Sequence, residues 1–140
     1  MNLKELQKKL KSEDYTLIAD RNGELYVSYQ RGIAPILNPM KEQQNFFKDA
    51  IVVDKVIGKA TAMLLVLSEV RYIYAYILSQ KAKDILDQYH IDYDYEKIVD
   101  YIENRDHTGM CPMEMTVAQL SDLHEAFIAL VAKQQALFNQ

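Results

Sequence analysis

The sequence predicts an α/β protein with a mixed sheet of about five strands held between helical layers. Three observations carry that expectation. Asn22-Gly23 joins two β-rich runs, Tyr15–Ala19 and Glu24–Tyr29, the signature of an antiparallel hairpin. Val56–Leu67 is apolar all round at helical length, as befits a helix buried against a sheet. Arg71–Leu78 is aromatic and β-branched, reads as a central strand, and is followed by a helical pattern. Strand–helix–strand alternation after an opening hairpin gives a mixed sheet with helices on its faces. The 140 residues are expected to form a single domain, long enough to bury a core without disulfides or metals.

The elements follow in order. Leu3, Leu6 and Leu10 recur at helical spacing, so residues 2–12 read as a short surface helix. The hairpin comes next. Arg31-Gly32-Ile33-Ala34-Pro35 ends its second strand, and Pro35 suits the first turn of a short polar helix within 34–47, which Asn38-Pro39 can interrupt. Residues 49–54 read as a brief apolar approach to the helix 56–67. Asp54 is its expected N-cap, where a carboxylate also suits the helix dipole. Ser79 caps a helix over 80–89, with Ala82, Ile85 and Leu86 facing inward. Residues 91–95 are extended. Residues 95–98 read either as more strand or, with Ile102, as a short helix. After the polar loop 104–114, Thr116 is expected to cap a last helix from Val117 to about Leu137. Tyr72, Tyr74 and Tyr76 alternate onto one strand face, where a helix is expected to pack.

Composition narrows the function. Sixteen basic against twenty acidic residues give a net charge of −4, which argues against nucleic-acid binding through a broad basic surface. One cysteine precludes an intramolecular disulfide and suits a reducing compartment. The N-terminal stretch Met1–Leu10 is charged and amphipathic, unlike a signal peptide. The longest apolar run, Ala60–Leu67, is far short of the ~20 residues that cross a bilayer. A cytoplasmic location without membrane association is the expectation.

Three groups of residues carry chemistry. Gly58-Lys59 resembles the end of a phosphate loop, but Val53 stands where the earlier glycine belongs and Ala60 follows the lysine. What remains is a cluster of Asp54, Gly58 and Lys59 near a helix N-terminus, a place that holds an anion or polarises a carbonyl. His107, Cys111 and Glu114 are all zinc-capable, with His90, Asp92, Asp94, Asp106 or His124 as a fourth ligand. Their spacing fits no zinc motif, so neither a metal nor another cofactor is expected. Cys111 precedes Pro112 near a helix start, where a thiolate is favoured, and His107 lies four residues away as a base.

Three stretches together resemble a known family. Gly32-Ile33-Ala34-Pro35, Asp54–Ala60 and Asn104–Glu114 are similar, in order, to motifs of the bacterial and archaeal family called domain of unknown function 1893. The resemblance spans about residues 15–125. It implies a cytidine-deaminase-like fold, a three-layer α/β/α sandwich. It does not imply deaminase activity. The helix starts at Gly58-Lys59-Ala60 and Ser79-Gln80-Lys81-Ala82 lack the His or Cys zinc ligands of deaminases. The family's motifs match at Gly32, Pro35, Asp54, Gly58, Lys59, Ala60, Asn104, Arg105, Thr108, Gly109, Cys111, Pro112 and Glu114.

Three functions are consistent with these residues. The first is binding of a small nucleotide-like or anionic molecule on a zinc-free scaffold. Gly58, Lys59 and Ser79 would lie at the helix N-termini, and a loop with Asn104, Arg105, Thr108, Gly109 and Glu114 would close over them. The second is a metal-free enzyme, with Cys111 as nucleophile or an Asp54/Lys59 acid–base pair in which Asp54 stays ionised and a buried Lys59 has a lowered pKa. The third is a structural or interaction protein, with Ala126, Ile128, Val131 and Ala132 offering a homodimer face.

Overall fold

The hairpin forms where Asn22-Gly23 places it. β1 (Leu17–Arg21) pairs antiparallel with β2 (Glu24–Ser28), Ile18 facing Val27. Asn22 (φ 55°) and Gly23 (φ 95°) both take the left-handed conformation such a turn requires, and the Asp20 carboxylate accepts the Gly23 N–H at 2.7 Å. The computed structural model describes residues 1–138. β3 (Ile51–Ile57), β4 (Tyr72–Ser79) and β5 (Asp92–Val99) complete a five-stranded sheet of order β2-β1-β3-β4-β5. β3 is antiparallel to β1, and β3, β4 and β5 are mutually parallel, so the sheet is mixed.

Helices cover both faces unequally. α1 (Leu3–Ser12) lies alone on one face, burying Leu6 and Leu10 against Ile18 and Val53, with Tyr74 and Tyr76 packed alongside. A capping box between Asn2 and Glu5 starts it, and the Met1 ammonium pairs with Asp20 at 2.7 Å. The other face holds the main core. There Leu17, Ala19, Val52, Ile73 and Ala75 meet α2 (Ala34–Glu42), α3 (Lys59–Leu67), α4 (Gln80–Gln88), α5 (Pro112–Val117) and α6 (Leu123–Phe138).

Four expectations need correction. Residues 51–57 are a strand, not an approach to a helix. Ile51-Val52-Val53 is the run of a strand covered on both faces and paired on both sides, a pattern that reads as merely apolar in sequence. Asp54 therefore lies inside β3, and α3 starts after Gly58, which is its N-cap. Of the two readings left open for residues 95–98 the strand holds: they continue β5, with Tyr93 and Tyr95 packed inward and Asp94 and Glu96 exposed. The C-terminal helix is two: α5 ends at Val117, and α6 begins at Leu123 behind Asp122, whose carboxylate accepts the Glu125 N–H at 2.8 Å. Thr116 is not a cap, since its hydroxyl donates to the Pro112 carbonyl within α5.

Pro39 sits inside α2 without breaking it. A proline there cannot donate to the carbonyl four residues back, which is Pro35. The Tyr26 hydroxyl fills the gap, donating to the Pro35 carbonyl at 2.7 Å. Tyr26 is in turn locked edge-on against Phe46 and Phe47. Tyr26→Phe is thus expected to cost about 1–2 kcal/mol in urea unfolding. In a Pro39→Ala background the new alanine brings its own backbone N–H to that carbonyl, so the cost of Tyr26→Phe shrinks; an undiminished cost there would show that the Tyr26 hydroxyl does not stand in for the missing N–H.

Candidate functional site

The three parallel strands end on one edge, and two helices start there at once. β3 passes into α3 through the single residue Gly58. β4 passes into α4 with no connecting residue, and the Ser79 hydroxyl accepts the Ala82 N–H at 3.1 Å, as expected of a cap. The C-terminal edge of parallel strands, with helix N-termini beside it, is where α/β folds place ligands.

α3 cannot cap itself. Gly58 has no side chain, and the first turn holds no acid. The missing acceptor comes from α5. Glu114 accepts the Lys59 N–H at 2.7 Å through one carboxylate oxygen and the Ala60 N–H at 2.8 Å through the other. Lys59 also donates its ammonium to the Ala118 carbonyl at 3.2 Å, tying the far end of α5 to the same turn. Gly58 is glycine because of close approach, not backbone conformation. A Cβ there would lie 2.1 Å from Glu114 Oε1 and 2.8 Å from Ile102 Cγ1.

The segment after β5 arrives here on a small closed loop. Glu103 bridges Met110, Asn104 and Gly109 bond through the backbone at 2.8 Å, and the Asn104 side chain accepts the Thr108 N–H and donates to its hydroxyl. Cys111 N–H then bonds the Ile102 carbonyl at 2.9 Å, and Cys111 becomes the half-buried N-cap residue of α5. Ile102 and Glu114, on either side of Cys111, both reach Gly58. The structure therefore gathers Gly58, Lys59, Glu114 and the Cys111 turn. Ser79 stands next door at the start of α4. Asn104, Thr108 and Gly109 close their own loop, and Arg105 is exposed on it.

Charges at the site differ from expectation in one respect. Burial and the neighbouring Lys81 ammonium push Lys59 below the usual lysine range, while Glu114 pulls it back. Burial raises Glu114 against the pull of its two amides and Lys59. Glu114 is thus an acid that acts on Lys59. Asp54 lies between Leu17 and Ala75 in the sheet, buried, its carboxylate accepting from the backbone N–H of Val56 at 3.4 Å and from that of Lys55. Burial raises it to about 7, so the expectation of a firmly ionised Asp54 does not hold.

The zinc-capable residues go separate ways. His107 pairs with Glu103 on the loop, and Glu114 is committed to the α3 amides. Among the described residues no three His, Cys, Asp or Glu side chains gather as a metal site. Glu114 is the residue whose role sequence reasoning misses. The available signal is a helix start with neither a side-chain cap nor an acid in its first turn.

The open five-stranded mixed sheet with helices on both faces makes this an α/β domain. The chain belongs to the family described as domain of unknown function 1893, whose model matches residues 5–133. It is similar to the crystal structure of a DUF1893 family protein from Thermotoga maritima, at 25% identity and a TM-score of 0.86, over 94% of this chain and 88% of that one. None of the curated proteins matches it.

Two outcomes follow from this geometry. Gly58→Ala is expected to cost about 2–4 kcal/mol in urea unfolding, and distinctly less in a Glu114→Ala background where part of the collision is gone; equal costs in both backgrounds would refute the contact. Asp54 binds its proton more tightly folded than unfolded, since about 7 lies above its ordinary 3.8. The folded chain keeps a proton that the unfolded chain has lost, so stability falls as pH rises from about 4 to 7 and then levels off. Asp54→Asn should accordingly gain as much as ~4 kcal/mol over the parent at about pH 8 and little at about pH 4 by thermal unfolding, and a gain independent of pH would contradict it.

Proposed function

We propose that this protein binds a small anionic molecule, of the phosphate- or carboxylate-bearing kind found in nucleotides, at the C-terminal edge of β3–β5. One observation carries the reading: two backbone amides at the start of α3 hold a carboxylate contributed from α5, at 2.7 and 2.8 Å. Those amides are built to accept an anion, and Glu114 supplies one from within the chain. Lys59 and Lys81, close enough to repel one another, put two ammonium groups at the same edge. The buried carboxyl of Asp54, raised by burial to about 7, lies in the strand that leads into the same helix. In this reading the segment 102–118 is a cover, and a ligand's anionic group exchanges with the Glu114 carboxylate.

Gly58 favours a second reading. Its fit to Glu114 and Ile102 is what a purely structural latch between α5 and α3 requires, with no ligand at all. A thermal-shift panel of nucleotides, nucleosides, inorganic phosphate and dicarboxylates separates the two. The parent, Glu114→Gln and Lys59→Ala are run side by side. A ligand at about a hundred times its Kd stabilises by about 2.7 kcal/mol. Binding predicts a hit that strengthens in Glu114→Gln, where the competing carboxylate is gone, and weakens in Lys59→Ala. Silence across the panel, with both variants folded, leaves the latch reading in its place.

A further inference from the structure

The two edges of the sheet are finished differently. β5 carries an acid at every other position, Asp92, Asp94 and Glu96, and charge along an edge strand keeps other strands away. β2 has no such protection. It holds no proline, glycine or lysine, and its one charge, Glu24, sits at the hairpin end in a pair with Arg21. No strand pairs with its outer side among the described residues. The two-residue turn makes Arg21 and Glu24 a hydrogen-bonded pair, so Tyr26 and Ser28 also turn their N–H and C=O groups to β1. Leu25 and Val27 turn theirs outward. The side chains of the same residues form an apolar row. Leu25 stands opposite Asp20 and Val27 opposite Ile18, which packs under α1, so both lie on the α1 face. Tyr29 continues the row, edge-on to Tyr15 of that cluster with ring centroids 5.1 Å apart. All three are exposed, Tyr29 at 65%. A run of large apolar side chains left in water beside open backbone groups marks a contact surface.

A second copy of the same edge fits it. In antiparallel pairing across a two-fold axis with Val27 opposite itself, Leu25 faces the partner's Tyr29 and Tyr29 faces the partner's Leu25. Every pair on the exposed face is then apolar, and Val27 exchanges its outward N–H and C=O bonds with its own copy. Glu24 meets the partner's Gln30, one residue from the partner's Arg31, so no acid stands opposite an acid. Centring the pair on Tyr26 instead leaves Tyr29 opposite the partner's Gly23, with nothing to pack on. The dimer face expected on α6 offers less. Ala126 is buried and Val131 packs on the core, which leaves Ile128 exposed beside the small Ala132.

We propose that two copies of this chain join through β2, antiparallel about Val27, and merge their five-stranded sheets into one continuous sheet. The test is light scattering of the full chain at micromolar concentration, beside Val27→Lys, which sets like charges against each other on the axis. The expected result is a dimer whose dissociation constant rises about a hundredfold in Val27→Lys. Single cysteines in a Cys111→Ser background read the register. Val27→Cys should cross-link into a disulfide-bonded dimer when diamide oxidises the thiols, since opposed residues of a ladder lie within disulfide reach. Leu25→Cys should not, because it faces the partner's Tyr29. Should Val27→Lys fail to fold, the cross-linking pair decides alone. A parent that is monomeric at this concentration would overturn the proposal. So would a dimer untouched by Val27→Lys with its fold intact by circular dichroism, or a Leu25→Cys that cross-links as readily as Val27→Cys.

Discussion

The two hydrogen bonds from the α3 amides to Glu114 hold the C-terminal third of the chain in place. α3 is the most buried helix of the fold, with every residue from Ala60 to Leu65 enclosed. A helix so deep in the core cannot leave its first N–H groups to water, and its own sequence brings no acceptor. The carboxylate arrives on α5, which packs on α3 and is followed by α6, whose Ala126 and Leu130 complete the same core. An unpaired buried amide costs about 1–3 kcal/mol, so the capping of one helix fixes where two others lie. Gly58 is the steric condition for that arrangement and Lys59 its electrostatic counterpart.

The sheet is covered unevenly, and the uneven cover decides which surfaces are free. Five strands span roughly 20 Å between outer axes, and a helix with its side chains covers about 10 Å. On the side of the main core the helices close the sheet. On the other side α1 stands alone over β1 and β3. Its flanks expose Leu25 and Val27 of β2 on one side and the acids Asp92, Asp94 and Glu96 of β5 on the other. The sequence explains the charge there: alternation along β5 puts Tyr93 and Tyr95 against the core and the acids outward.

Much of the fold is legible in the sequence because it rests on short-range chemistry. Asn22-Gly23 takes left-handed backbone that few other residues tolerate, so the hairpin reads directly. Ser79 bonds an amide three residues on, and Pro35 needs no N–H at a helix start. β3 escapes such a reading because its apolar run carries no periodicity once both faces are buried, and because Asp54 looks like a cap from sequence. Glu114 is visible as a member of the site but not in its role, since 55 residues separate it from the amide it caps.

By itself, then, the sequence determined the mixed α/β class, the hairpin, the helix starts at Asn2, Pro35 and Ser79, and the neighbourhood of the polar loop. Each depends on residues within a few positions of one another, where backbone sterics and local hydrogen bonds act before any packing. The tertiary structure alone decided that Glu114 caps α3, that Tyr26 repairs the gap left by Pro39, and that burial raises Asp54 to about 7. Those outcomes turn on burial and on partners brought from distant parts of the chain. Desolvation is a property of what surrounds a group, and no local pattern encodes it.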